Sequence, residues 1–225
     1  MYPRQHNYSL KKGFTIIELM LAMTFVSFLL VGVALLTIQM SHIYTRGLTM
    51  KEINQAGTEV SDDIRQSIRE ASASKVKTAT KVGYRVLCTG TYSYIANNPA
   101  GIASGSTSNA KISGVPVRLA KVRDVASAYC GATSPSLALP SDSVELLGAG
   151  DRSLVVRQMT LDSQSPLLTN DLNSGRAMFT VRLTLSTGID TELDANGCIP
   201  PASPQSGEEY CAIDTFVIVA RVGNV

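Results

Sequence analysis

The residues able to support chemistry are few: four cysteines, two histidines and a carboxylate at the edge of an apolar block. The cysteines, Cys88, Cys130, Cys198 and Cys211, form no CxxC pair, which argues against zinc and thioredoxin-like chemistry. Outside the cytoplasm an even count implies two disulfides, and four cysteines allow three connectivities. The pairing Cys88–Cys130 with Cys198–Cys211 is favoured because each pair brackets a turn-rich segment that a bridge could tie down. His6 and His42 both lie early in the chain, so no His-based triad belongs to the later part. No Gly-rich phosphate loop and no HExxH occur. Glu192-Leu193-Asp194-Ala195-Asn196-Gly197 opens like a calcium loop, with oxygen ligands at alternate positions before a glycine. Ser203 stands where the closing bidentate Glu belongs, so Glu192, Asp194 and Asn196 are weak calcium candidates beside a plain Asn-Gly turn. The expectation is a protein that is not an enzyme and carries no cofactor, with calcium as the one weak exception.

The carboxylate is the informative residue. Glu18 precedes Leu19–Leu36, eighteen residues without charge whose polar members are Thr24 and Ser27. That length and composition fit a transmembrane helix of about 17–25 residues. A charge within such a helix costs about 2.5–3.5 kcal/mol on insertion scales and is read as functional by default. Arg4, Lys11 and Lys12 on the N-terminal side keep that end cytoplasmic and place the rest of the chain across the membrane. Without them the formal charge of +2 becomes 17 basic against 18 acidic residues, or −1. A balance so close to zero gives no reason to expect nucleic-acid binding. An ordinary signal peptide would place small residues after the apolar run, and Thr37–Ser41 is a poor match.

Lys11-Lys12-Gly13-Phe14-Thr15-Ile16-Ile17-Glu18-Leu19 resembles the processing site of type IV prepilins and type II secretion pseudopilins. The resemblance implies cleavage after Gly13 by a prepilin peptidase and N-methylation of Phe14. Glu18 then becomes the fifth residue of the mature chain, His6 leaves with the leader, and Glu18 meets the Phe14 amine of a neighbour in the filament core. Such a buried pair acts as a registry device more than as net stability. Major pilins commonly carry a proline about twenty-two residues into the mature chain. Leu35 occupies that position here, which tilts the reading towards a minor subunit.

These residues need an anchor and a head to position them. Ile53, Val60, Ile64, Ile68 and Ala71 lie on one helical face, so the expected helix runs from Phe14 to about Ala73, with Gly47 and Gly57 as candidate bends. Past Ser74 the signals turn to β structure. Tyr84–Cys88 and Tyr92–Ile95 read as a hairpin, Ser153–Met159 as a strand, and Met178–Leu185 as an alternating strand. Thr215–Val222, nearly all apolar, reads as a central or terminal strand of the same antiparallel sheet. Ala96–Ser143, rich in Ala, Gly, Ser and Asn, reads as surface loop with short strand pieces such as Val115–Val122. The expected fold is α+β, a long helix packed on an antiparallel sheet. Its parts are a leader (1–13), a membrane and filament-core helix (14–39), an amphipathic continuation (40–74) and a β-rich head (75–225) ending in a disulfide loop.

The resemblance therefore implies a structural subunit, a minor pilin before a pseudopilin of a secretion or DNA-uptake system. Its expected partners are other pilin subunits, the prepilin peptidase, the assembly platform and the membrane. Its expected place is a single pass in the cytoplasmic membrane and then the cell surface. A membrane-anchored binding module that never polymerises is the alternative of another class, and it would make Glu18 dispensable.

Overall fold

The computed structural model describes residues 13–102, 105–148, 154–162, 177–187, 193–194, 197–198 and 212–222. The elements in chain order are α1 (Ile16–Arg69), a 3-10 turn (Ala73–Lys75), β1 (Lys77–Thr80), β2 (Tyr84–Cys88), β3 (Tyr92–Asn97), α2 (Pro99–Ile102), β4 (Ala110–Ile112), β5 (Val115–Pro116) and β6 (Leu119–Arg123). After these come α3 (Ala128–Gly131), β7 (Leu137–Leu139), β8 (Val144–Glu145), β9 (Leu154–Asp162), β10 (Met178–Thr187), β11 (Leu193–Asp194), β12 (Gly197–Cys198) and β13 (Ile213–Arg221). The architecture is α+β with antiparallel sheets and a long N-terminal apolar helix. The chain divides into two compact units, up to Tyr44 and from Thr45 onwards.

The first unit is apolar helix. Ile16–Ser41 is long and apolar enough to cross a membrane, with mean hydropathy 2.6. The described side chains in this stretch are exposed, as expected where every face is hydrophobic and no protein partner covers it. Three of its hydroxyls bond back to the helix's own carbonyls. Thr24 donates to the Leu21 carbonyl at 2.9 Å, Ser27 to Met23 at 2.8 Å and Thr37 to Val33 at 2.8 Å.

The second unit builds its core against the later part of α1. Ile53, Val60, Ile64 and Ile68, at steps of 7, 4 and 4, are buried on one helical face. They pack with Leu87, Tyr94 and Leu119 of a five-stranded sheet of order β1-β2-β3-β6-β8, and with Val156, Phe179, Val181, Leu183 and Ile218 of a three-stranded sheet of order β13-β10-β9. The helix ends at Arg69, short of the expected Ala73: the Ala71 amide bonds to the Ile68 carbonyl, tightening the last turn before the 3-10 turn. Gly57 is a packing niche. A Cβ there would lie 2.1 Å from ring carbons of Phe216, so β13 rests an aromatic ring directly on the helix backbone.

The hairpin read from sequence is β2–β3, with Val86 opposite Ile95 and Leu87 opposite Tyr94. Two other expectations change. The expected single sheet is two: β13 pairs with β10 as expected, Phe216 opposite Leu183, at the edge of a three-stranded sheet, but that sheet is separate from the hairpin's. Its apolar run hides an alternation: Ile218 and Ala220 are buried while Val217 and Val219 face outwards. The segment Ala96–Ser143 also does more than cover the surface. Within it β6 pairs with β3, and β5-β4-β7 form a small sheet. Ala110, Val117, Val122 and Leu139 there pack with Tyr84, Val86, Cys88 and Ile95 in a second core. Alternate residues of β2, β3 and β6 thus serve opposite cores, so this sheet is buried on both faces. Asn97 holds the join, donating to the carbonyls of Ala110 (2.8 Å) and Val117 (2.7 Å) and accepting from the Ala110 amide (2.8 Å).

Candidate functional site

The residues singled out by sequence meet at the start of α1. Thr15 precedes the first helical residue and Glu18 is the third residue of the helix. One carboxylate oxygen of Glu18, Oε2, accepts both the Thr15 amide and the Thr15 hydroxyl at 2.9 Å. The Glu18 amide in turn donates to Thr15 Oγ1 at 3.3 Å. This reciprocal pattern is a capping box, in which an N-cap Thr and an N3 Glu satisfy each other's orphan amides. The Thr-x-x-Glu spacing that announces it was present in the sequence but was overshadowed by the membrane-charge reading of Glu18. A carboxylate at a helix N-terminus also meets the positive end of the helix dipole. Among the described residues Oε1 takes no hydrogen bond, so the box leaves half of the carboxylate available.

Gly13 and Phe14 sit just before this cap. A Cβ built on Gly13 would meet nothing within 4 Å, and Gly13 itself is exposed. Phe14 is 83% exposed. Lys11 and Lys12 lie outside the described residues.

In the head, the Cys88–Cys130 disulfide is formed, with Cα atoms 6.3 Å apart. Cys211, Glu192 and Asn196 lie outside the described residues, as does the side chain of Cys198; the Cys198–Cys211 pairing and the calcium candidates fall with them. Asp194, whose side chain is likewise not described, belongs to β11, which pairs with β12 through Leu193 opposite Cys198. Among the described residues no group of three His, Cys, Asp or Glu is placed to hold a metal ion.

Sequence reading missed the polar lock between α1 and the sheet within the second unit. Asp63 on the helix accepts the Lys121 ammonium at 2.7 Å through Oδ1 and the Tyr94 hydroxyl at 2.8 Å through Oδ2. The Tyr94 and Ser67 hydroxyls are 2.6 Å apart, and the Lys121 ammonium lies 4.3 Å from the centre of the Tyr92 ring. Burial pushes the Tyr94 phenol far above its ordinary value, and the Asp63 charge adds to that. Burial alone lowers the Arg85 guanidinium and raises Tyr84. No signal of local sequence could announce this lock, because 58 residues separate Lys121 from Asp63.

No family model, no curated protein and no solved structure matches the chain.

Proposed function

We propose that this chain is a structural subunit of a type IV pilus, cut after Gly13 and built into the filament as a minor pilin through its N-terminal helix. The observation that carries this reading is one exposed, apolar helix that begins with a single, half-satisfied carboxylate. An anchor needs only the apolar length. Glu18 adds a demand: when apolar helices bundle away from lipid headgroups, the carboxylate must find a cation or be buried unpaired. Cleavage after Gly13 creates one, the amine of Phe14, four residues before Glu18 in each subunit. Thr15 holds Oε2, and Oε1 remains to take that amine from a neighbour. The role is structural and not catalytic, and the partners are other subunits, the peptidase, the assembly platform and the membrane. The β-rich head then lies outside the cytoplasm, where its disulfide persists.

Mass spectrometry of the exported protein tests the processing. The expected mature N-terminus is Phe14, methylated; an exported chain still beginning at Met1 overturns the proposal. Incorporation of Glu18→Ala into sheared filaments tests the assembly role. Wild-type incorporation would favour the anchored module that never polymerises.

A further inference from the structure

The Cys88–Cys130 bridge joins a fully buried strand residue to a turn that hydrogen bonds already hold in place. The carboxylate of Asp124, itself buried, is the centre of that turn. Its Oδ1 accepts the Ala128 amide at 2.8 Å. Its Oδ2 accepts the Tyr129 amide at 3.1 Å and lies 2.7 Å from the Ser93 hydroxyl. The Asp124 backbone is tied at the same time, its amide donating to the Thr91 carbonyl at 2.8 Å and its carbonyl accepting the Ser127 amide at 3.1 Å. Ser127 takes the left-handed conformation, φ 52°, which bends the chain back towards the sheet. Ser93 stands opposite Cys88 in the β2–β3 register, and its hydroxyl is also 3.2 Å from Cys88 Sγ. One carboxylate therefore links the strand beside Cys88 to the two amides just before Cys130.

We propose that Asp124 is the positioning residue that selects Cys130 as the partner of Cys88, by forming the turn before the bridge closes. With four cysteines in the chain, three pairings compete, so a device that raises the local concentration of one partner decides the outcome. The chemistry is exchange with an external disulfide. Cys130, the partly exposed member, attacks that disulfide as a thiolate, forms a mixed disulfide and releases one small thiol. Cys88, also as a thiolate, attacks Cys130 Sγ and expels the second. Two protein thiols together lose two electrons and two protons, and one external disulfide becomes two thiols. Only the second, intramolecular step depends on where Asp124 holds the turn. Without the carboxylate, two backbone amides and the Ser93 hydroxyl lose a charge-assisted acceptor, and the turn is free to move Cys130 out of reach.

The test is reoxidation of the full chain in detergent, starting from reduced and unfolded protein, with oxidised glutathione as oxidant. Acid-quenched samples are mapped by peptide mass spectrometry. Wild type should form Cys88–Cys130 directly. Asp124→Ala should close the bridge about tenfold more slowly, with Cys130 trapped on glutathione or paired with Cys198 or Cys211. Asp124→Asn, which keeps one acceptor oxygen, should recover part of the rate. Lys121→Met serves as a variant destabilised elsewhere in the head and should keep the native pairing, which separates positioning from loss of stability. Should Asp124→Ala fail to fold, Ser93→Ala removes the hydroxyl that links Oδ2 to the Cys88 strand, leaves both turn amides on the carboxylate, and should still slow closure. Native pairing at the Lys121→Met rate in either Asp124→Ala or Ser93→Ala overturns the proposal.

Discussion

The two stretches of α1 satisfy polar groups in opposite ways. In the stretch up to Tyr44, the hydroxyls of Thr24, Ser27 and Thr37 and one oxygen of the Glu18 carboxylate bond to groups only three or four residues away, and the apolar side chains stay exposed. From Thr49 to Arg69 apolar side chains are buried at helical spacing, and the key carboxylate, Asp63, reaches partners 31 and 58 residues away. A helix that settles its own polar groups can change surroundings, from lipid to a bundle of like helices, without losing a bond. One that shares them with a sheet is fixed to that sheet. The difference predicts which mutations affect assembly and which affect the fold.

The largest expected effect is on assembly alone. Glu18→Ala should reduce incorporation into filaments by orders of magnitude while the melting temperature of the head is unchanged, as differential scanning calorimetry can report. A matching fall in melting temperature would mean that the two stretches are not independent in this way. Lys121→Met should do the converse. It leaves the Asp63 carboxylate with the Tyr94 hydroxyl alone, at a cost of about 1–2 kcal/mol of head stability because both partners are only partly exposed. Urea titration checks the size. In Asp63→Asn/Lys121→Met most of that loss should return, since no uncompensated charge remains.

The alkaline limb of stability follows from the same lock. Folded Tyr94 holds its proton to a higher pH than the unfolded chain, chiefly through burial. Its contribution is complete below about pH 10, where an unfolded tyrosine begins to ionise. Above that, stability should fall by about 1.4 kcal/mol per pH unit for this residue until the folded phenol itself ionises. Tyr94→Phe should flatten the limb by one proton's share and leave the part due to Tyr84 and Tyr129, whose phenols burial also raises. An unchanged slope between pH 10 and 11 would show that Tyr94 is not held as described.

Much of this arrangement was legible in the sequence, for physical reasons that differ by region. The Ile53–Ala71 face and the Phe179–Leu185 alternation are read directly, since one side of each element is wet. The Cys88–Cys130 bridge followed from bracketing a turn-rich segment. The second core was not legible. Its strands are two to six residues long, and small polar residues such as Asn97 and Asn109 are buried there with backbone partners. Composition registers those residues as loop. Glu18 was found, but for its charge; the cap it completes with Thr15 adds a local role to the one proposed between subunits. Gly57 was noticed, but its niche for Phe216 was not legible, because it depends on a strand about 160 residues away.

Two smaller predictions sharpen the contrast between shared and local contacts. Gly57→Ala gains about 1 kcal/mol of helix propensity but forces the Phe216 ring to move, at about 1–3 kcal/mol. The net effect should be a small loss of head stability. In a Phe216→Leu background the niche is empty, so the same Gly57→Ala change should become stabilising. That reversal of sign, measured by urea titration, is the signature of a packing contact; a loss in both backgrounds would instead assign Gly57 a backbone role. The smallest effect belongs to Arg182 and Asp162, paired at 2.9 Å on the outer face of β10 and β9, with both side chains about half exposed. Solvent and salt screen such a pair, so Arg182→Ala should cost under about 1 kcal/mol and still less at high salt. A larger loss would mean that this outer face is shielded from water and belongs, like the inner one, to a packed surface.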